Sequence, residues 1–361
     1  MGNETTERQT TPTFERETHE TMKAVRFHEF GDPDVLRYES VPKPIPEFGE
    51  ALVKIRSASL NHIDLWVEKG IYYKPTLPHI PGADAAGVVE EVKDADSLLV
   101  GTKVLVYPTL ACFHCRFCIE GNHNLCASYK TVGSQTDGSY AEYIKVPVKN
   151  LIRMPDQFKP EEAAALPLTF TTAYHMLVGR AKVQPNETVL VLGAGAGVGV
   201  AAIQISRLLG ARVIATSSTE EKLRKAQRIG ADVAINYTDE GWVDEVLAAT
   251  KNRGVDVVID HLGAATFAKG IKCLSKNGRL VNCGVTTGNE VSINIRDIFM
   301  AQRSIMGSVT GTMKDFLAVT KLTAERKLRP VIDSVYRLKD AQKAQERLLS
   351  RQSFGKIVLV P

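Results

Sequence analysis

From Met22 to about Val148 the chain is a succession of short apolar runs, many alternating with polar positions, in KAVRF, EALVKIRSAS, AAGVVEEV and TKVLVYP, broken by Gly, Pro and Asp. Runs of strand length with a two-residue period and frequent breakers predict a β-rich, barrel-like domain. Near Asn186 the rhythm changes. Strand-like VLVL is followed by an amphipathic stretch from Val198 to Leu209, then strand-like RVIAT, helix-like EEKLRKAQRIG, and the apolar runs VAINY, VDVVID and RLVNCG. Strands alternating with helices mean βαβ units and a parallel sheet covered on both faces, an α/β fold. After about Leu328 the pattern is mixed and closes on the apolar run KIVLV, which we expect to rejoin the first domain, although periodicity alone does not show it. The expected division is a tail over residues 1–21, a first domain over 22–150, a parallel-sheet domain over 151–325 and a returning segment over 326–361.

Composition narrows the class. At 361 residues the chain exceeds what one hydrophobic core usually serves, and 44% apolar with 24% charged residues is the balance of a globular protein. The net charge of +4 is too small and too evenly spread to make a nucleic-acid or membrane surface, so small molecules are the expected partners. Runs such as Val189 to Leu192 and Val255 to Ile259 fall far short of the ~20 residues that span a bilayer. The first 21 residues are rich in Thr and Glu, carry acids that presequences avoid, and read as a solvated tail, with Met22 as an alternative start. A cytoplasmic, reducing location is expected, where six cysteines are metal ligands or core residues rather than disulfides.

The run VLVL enters Gly193, Ala194, Gly195, Ala196, Gly197, Val198 and Gly199 and then a helical stretch. Small residues there let the backbone approach a pyrophosphate, which the start of the following helix stabilises through free N–H groups and its dipole. The strict G-x-G-x-x-G string is absent; Gly193, Ala196 and Gly199 fit G-x-x-A-x-x-G. A tight turn serving only strand-to-helix packing is the alternative. The second strand, RVIAT, ends in Thr216, Ser217 and Ser218, where an NAD site would place an acid on the ribose 2′-hydroxyl. Small hydroxyls, with Lys222 and Arg224 a turn onward, leave room and positive charge for a 2′-phosphate, so NADPH is the expected cofactor, with NADH possible. Ser217 and Ser218 capping the next helix is the competing role.

Cys112, Cys115, Cys118 and Cys126 form C-x2-C-x2-C-x7-C, and four thiolates in one loop surround a Zn2+ tetrahedrally with no position left for water, which makes the site structural. An iron–sulfur cluster is the alternative. His114 and His123 in this loop read as surface residues, and Cys273 and Cys283 as buried core thiols.

The cysteine lobe, the preceding GADAAGVVEEV and the later VLVLGAGAGVG resemble the medium-chain dehydrogenase/reductase superfamily, over nearly everything after Met22. The resemblance implies a GroES-like barrel carrying the substrate site, a Rossmann domain, and a nicotinamide held in the cleft between them. Zinc alcohol dehydrogenases place a catalytic zinc on a Cys, a His-Glu pair and a further Cys; the matching positions here are Asn61, the pair Ala83 and Asp84, and Leu168, with Ile63 where a proton-passing hydroxyl would lie. The Lewis acid that polarises an alcohol oxygen is therefore expected to be missing. Leu60, Asn61, Asp64, Gly70 and Tyr72 are instead similar to the signature of the quinone oxidoreductase branch, which implies hydride transfer from NADPH to a quinone or an α,β-unsaturated carbonyl compound. Asn61 and Tyr72 are the candidate polar groups for the enolate oxygen, and Asp64, ionised if its pKa is ordinary, the candidate for orienting them. A metal site from His62, His79, Asp64 and Asp84 is the outlying alternative. By the same resemblance Thr172 contacts the nicotinamide end, Leu262, Gly263 and Gly284 lie at strand ends facing the ligand crevice, and Tyr237 is an adenine-side contact. Two rival functions remain open, a zinc-type alcohol or aldehyde dehydrogenase with altered ligands and a non-catalytic NADPH-binding protein. The resemblance also implies a homodimer or homotetramer.

Overall fold

The computed structural model describes residues 20–93 and 100–361, so nearly all of the expected N-terminal tail lies outside the described residues. In the first domain the strand Glu50–Ser59 is the hub. It pairs antiparallel with Asp84–Val92 on one side, and on the other with Tyr143–Pro147 at its start and Lys356–Val360 at its end. Lys103–Val106 and Leu151–Arg153 extend the sheet beyond Asp84–Val92, and Ile332–Arg337 lies parallel to Lys356–Val360 at the opposite edge. The hairpin of Thr21–Phe27 with Leu36–Pro42 joins through bridges from Ala24 to Ala141 and from Phe27 to His79. Alternate residues point inward, so Ala51, Val53 and Ile55 meet Val89, Val104, Ile144 and Val146 in one core. Register shifts at Leu52/Val53 and Ile55/Ser57 bend the central strand, as closing a barrel requires.

The second domain is a six-stranded parallel sheet in the order Val233–Asn236, Arg212–Ser217, Thr188–Val191, Val255–Asp260, Leu274–Asn282, Ser304–Gly307. In the central strand Thr188–Val191, the run from Val189 to Val191 is apolar because both its faces are covered. Val189 and Val191 pack with Phe170, Ile203 and Phe316 on one side, while Leu190 packs with Trp242, Val246 and Ile271 on the other. Each such burial contributes about 1.5–3 kcal/mol. The chain winds outward from Thr188–Val191 in one direction, then crosses back to Val255–Asp260 on its other side. That reversal opens a crevice at the carboxyl ends of these two strands.

Candidate functional site

A cleft of about 930 Å3 runs from this crevice to the barrel. At its floor the helix Gly197–Leu208 begins at Ala196, which offers no side-chain cap, so the first-turn N–H groups remain available to a ligand anion. Gly193 takes φ 77°, and a Cβ on Gly199 would be driven into the Gly193 carbonyl. Both positions therefore require glycine. The facing strand end is held by Asp260, whose Oδ1 accepts from the N–H of Leu262 at 2.8 Å and the Thr266 hydroxyl at 3.1 Å, and His261 Nε2 donates to the Gly193 carbonyl at 3.3 Å. Gly193, Gly195, Ala196, Gly197, Val198, Thr172, Ser217, Ser218, Lys222, Tyr237, Leu262 and Gly284 all line the cleft. Gly199 and Gly263 do not; Gly199 serves close packing of turn and helix, and Gly263, at φ 90°, packs against the Gly288 carbonyl.

The helix after Ser218 is capped by Thr219, whose hydroxyl accepts the Lys222 N–H at 3.3 Å. That leaves Ser217 and Ser218 free of the capping role and facing the cleft. Lys222 Nζ donates to the backbone carbonyl of Arg351, and Arg351 lines the same cleft. Burial pulls the Lys222 ammonium below its usual range. Among the described residues the lining includes Lys222, Lys269, Arg351 and Lys356 and no Asp or Glu, an electrostatic setting for a polyanion. Burial, reinforced by His261 and Lys356, holds His62 down at about 4, so the imidazole is neutral at neutral pH.

At the barrel side two of the positions matching family metal ligands, Asn61 and Asp84, converge on a side chain that sequence reasoning missed, and Leu168 joins them through its N–H to Asp84. Lys356 begins the last strand and is 4% exposed. Its Nζ donates to the Leu60 carbonyl at 2.6 Å, to Asn61 Oδ1 at 2.5 Å and to Asp84 Oδ2 at 3.1 Å. Asp84, wholly buried, also accepts from the Ser59 hydroxyl at 2.9 Å, Asn61 Nδ2 at 2.9 Å and the Leu168 N–H at 2.8 Å. A buried ion pair is tolerated when each partner's remaining bonds are satisfied, as here. Asn61 thus has its amide committed within the cluster, Oδ1 to the ammonium and Nδ2 to Asp84. Asp64 lies behind the wall rather than in the cleft. Its Oδ2 accepts the Asn61 N–H at 2.8 Å and the Tyr140 hydroxyl at 3.0 Å, a capping box that fixes the start of the helix His62–Glu68. Burial raises its carboxyl to about 7, so the ordinary ionisation expected from the sequence does not hold.

The far end of the cleft is aromatic. Trp66 and Tyr72 meet edge to face at 5.3 Å, Tyr72 is 46% exposed at the rim, and Tyr73 and Tyr129 complete the wall. Cys273 is a buried core thiol, whereas Cys283 lines the cleft. His79 is buried behind it, bonded to the Gly133 carbonyl at 3.0 Å. Among the described residues the only cluster of His, Cys, Asp or Glu close enough to hold a metal is that of the four cysteines, their Sγ atoms within 4.8 Å of one another. Zinc with bonds of about 2.3 Å needs sulfurs about 3.8 Å apart, and Cys112 and Cys118 stand at 3.9 Å. Backbone N–H groups of Cys115 and Ser128 point at the sulfurs of Cys112 and Cys126, both at 3.3 Å, and those of Ala127 and Cys118 hold the Cys115 thiol down at about 6. The donor set fits zinc. His114 and His123 stay outside it, His114 bonded to the Cys112 carbonyl and His123 against the Phe113 ring.

A glycine turn at the switch point of a parallel sheet, facing a barrel with a four-thiolate lobe, defines a two-domain, nicotinamide-nucleotide-dependent oxidoreductase. Known proteins place it more narrowly. Residues 197–325 match the family described as zinc-binding dehydrogenase, and residues 47–156 the alcohol dehydrogenase GroES-like domain. The chain is 34% identical to an alcohol dehydrogenase of Geobacillus stearothermophilus over 94% of its own length and 99% of that protein. It is 30% identical to the human quinone oxidoreductase over 94% and 98%. The crystal structure of an NAD-dependent alcohol dehydrogenase superposes with a TM-score of 0.91 at 41% identity, covering 94% of this chain and 100% of that one. The chain belongs to the medium-chain dehydrogenase/reductase superfamily, in its zinc alcohol dehydrogenase-like group, and is an oxidoreductase acting on small molecules.

Proposed function

We propose that the chain is an NADPH-dependent reductase of quinones or of the activated C=C bond of α,β-unsaturated carbonyl compounds, working by hydride transfer without a catalytic metal. The observation that carries this reading is the Lys356 ammonium, held by Asn61 and Asp84 where the family's metal-ligand positions meet. The Lys356–Asp84 ion pair takes the place of a metal there and supplies no Lewis acid, which suits an acceptor already electron-poor better than an unactivated alcohol. Bound NADPH supplies the hydride. The first turn of the helix Gly197–Leu208 receives the pyrophosphate, Ser217, Ser218, Lys222 and Arg351 the 2′-phosphate, and Tyr237 the adenine side. Trp66, Tyr72, Tyr73 and Tyr129 hold a flat acceptor and exclude water, and the Tyr72 hydroxyl serves its oxygen at the rim. Asn61 and Asp64 act as positioning residues for the ammonium and its loop.

The four-cysteine lobe holds one structural zinc. No described helix is long and apolar enough to cross a membrane, and we assign the protein to the cytoplasm. The outer edge of Ser304–Gly307, with Ile295, Phe299, Met300 and Ile305 exposed beside it, is the surface for a homodimer or homotetramer. Metal analysis with a steady-state screen tests the function. About one zinc per chain and chelator-resistant NADPH oxidation by quinones or enones is expected; about two zincs and chelator-sensitive alcohol oxidation would make the chain a zinc-type alcohol dehydrogenase instead.

A further inference from the structure

Contacts that neither cofactor binding nor hydride transfer uses run between the cysteine lobe and the cleft. Asn124 lies between the third and fourth cysteines, two residues before Cys126, and is buried. Its Nδ2 donates to the Val309 carbonyl at 3.0 Å and to Nε2 of His175 at 3.2 Å, both in the other domain. Nδ1 of the same ring faces Asp315 Oδ2 at 2.8 Å, and that oxygen also accepts the Thr312 N–H and hydroxyl at 2.9 and 2.8 Å. An ionised carboxylate only accepts, so the network places the proton on Nδ1 and leaves Nε2 of the neutral ring as the acceptor the Asn124 amide needs.

The segment gripped in this way forms one wall of the cleft, to which Val309 and Thr310 contribute directly. Thr310 takes φ 41°, a left-handed conformation costing a β-branched residue about 1–3 kcal/mol, which persists only where the surroundings over-determine it. Those surroundings belong largely to the first domain. Besides Asn124, the Tyr107 hydroxyl donates to the Gly311 carbonyl at 2.6 Å, and the hydroxyls of Thr109 and Thr310 are 3.3 Å apart. On the other side of Cys126, Tyr129 packs against the buried cysteines and lines the cleft as well. The fourth cysteine is therefore flanked by two residues that reach the wall of the site.

We propose that the four-cysteine lobe sets the shape of the acceptor end of the cleft, with Asn124 as the positioning residue that passes the ordered state of the lobe to the segment Gly307–Gly311. Naming that end for the acceptor rests on the function proposed above; the mechanical link does not. A structural zinc orders the loop it binds, and by linkage a wall that is held by the lobe must in return help hold the lobe.

The test is hydrogen exchange of the amides of residues 307–311 in zinc-loaded protein. Asn124→Ala should speed exchange there about tenfold, as expected for removal of a buried hydrogen bond, with zinc still at one per chain. Unchanged exchange overturns the proposal. If Asn124→Ala does not retain zinc, His175→Leu decides from the far side: zinc released to a chelator several-fold faster supports the link, and unchanged release overturns it. In turnover, Asn124→Ala should raise KM for the acceptor several-fold while NADPH binding is unaltered; equal weakening of both would reduce Asn124 to a general structural residue and overturn the positioning role. Exchange and zinc release require neither cofactor nor acceptor. A failure of the proposed function, seen as no NADPH oxidation by any quinone or enone, therefore remains distinct from a failure of this link.

Discussion

Replacing Lys356 with Met keeps an aliphatic stem and removes the charge from the centre of the Asn61–Asp84 cluster. Three hydrogen bonds are lost, to the Leu60 carbonyl, Asn61 Oδ1 and Asp84 Oδ2, and the wholly buried Asp84 is left without its cation. Breaking a buried pair by removing one partner costs about 3–5 kcal/mol. Asp84 keeps the Asn61 Nδ2 and Leu168 N–H donors and a share of the Ser59 hydroxyl, which also faces the Ala164 carbonyl, and this puts the cost at the lower end, about 3 kcal/mol. At about 2–4 °C per kcal/mol for a folding unit of 150–250 residues, the melting temperature should fall by roughly 6–12 °C. Adding Asp84→Asn removes the orphaned charge, and the double variant should regain most of the loss, a coupling that a thermal double-mutant cycle reads directly. In activity, kcat should fall much more than NADPH affinity. Lys356→Met within about 1 kcal/mol of the parent, or a double variant costing the sum of the two singles, would refute the account of the cluster. A loss confined to NADPH binding would move Lys356 from the acceptor end to the cofactor phosphates.

Lys222→Ala should raise KM for NADPH about tenfold or more and leave KM for NADH nearly unchanged if, as proposed above, Lys222 at the cleft wall receives the 2′-phosphate; equal loss for both cofactors would refute that proposal. Asp64, raised by burial to about 7, binds a proton in the folded state that the unfolded chain has released above its ordinary value of 3.8. Its contribution to stability therefore declines as pH rises from about 4 to 7, by up to about 1.4 kcal/mol per pH unit, and denaturant titrations across that range should show this slope reduced in Asp64→Asn. Cys115→Ser should lose zinc and lower the melting temperature before it alters chemistry; retained zinc with an unchanged melt would count against the lobe as a metal site.

The parts of the site that were legible from the residue order are those whose chemistry is local. The turn from Gly193 to Gly199 announces itself because glycines, a preceding apolar run and a following helix are adjacent in the chain, and the cysteine lobe because its four ligands fall within 15 residues. The missing acid after RVIAT was equally visible, and with it the expectation for Ser217, Ser218 and Lys222. Arg351 was not singled out, since nothing around it marks a phosphate contact, and only the returning C-terminal segment brings it beside Lys222. Ordinary ionisation, the expectation for Asp64, holds for a solvated carboxyl and fails for one enclosed behind the cleft. From its place beside an apolar run Cys283 reads as a core thiol, since the pattern of a strand says nothing of a cavity at its end.

Residue order alone was enough for the two kinds of sheet, the dinucleotide turn and the thiolate lobe, because period, glycine placement and ligand spacing act over a few neighbouring residues. The cluster of Lys356, Asn61 and Asp84 is of another kind. Lys356 and Asn61 lie 295 positions apart, and they meet only because Lys356–Val360 pairs with the far end of Glu50–Ser59 and carries a lysine into a pocket of acceptors. Whether such an ammonium is solvated on a surface or enclosed against a carboxylate depends on its three-dimensional surroundings, and those follow from long-range strand pairing rather than from any pattern a short stretch of sequence contains.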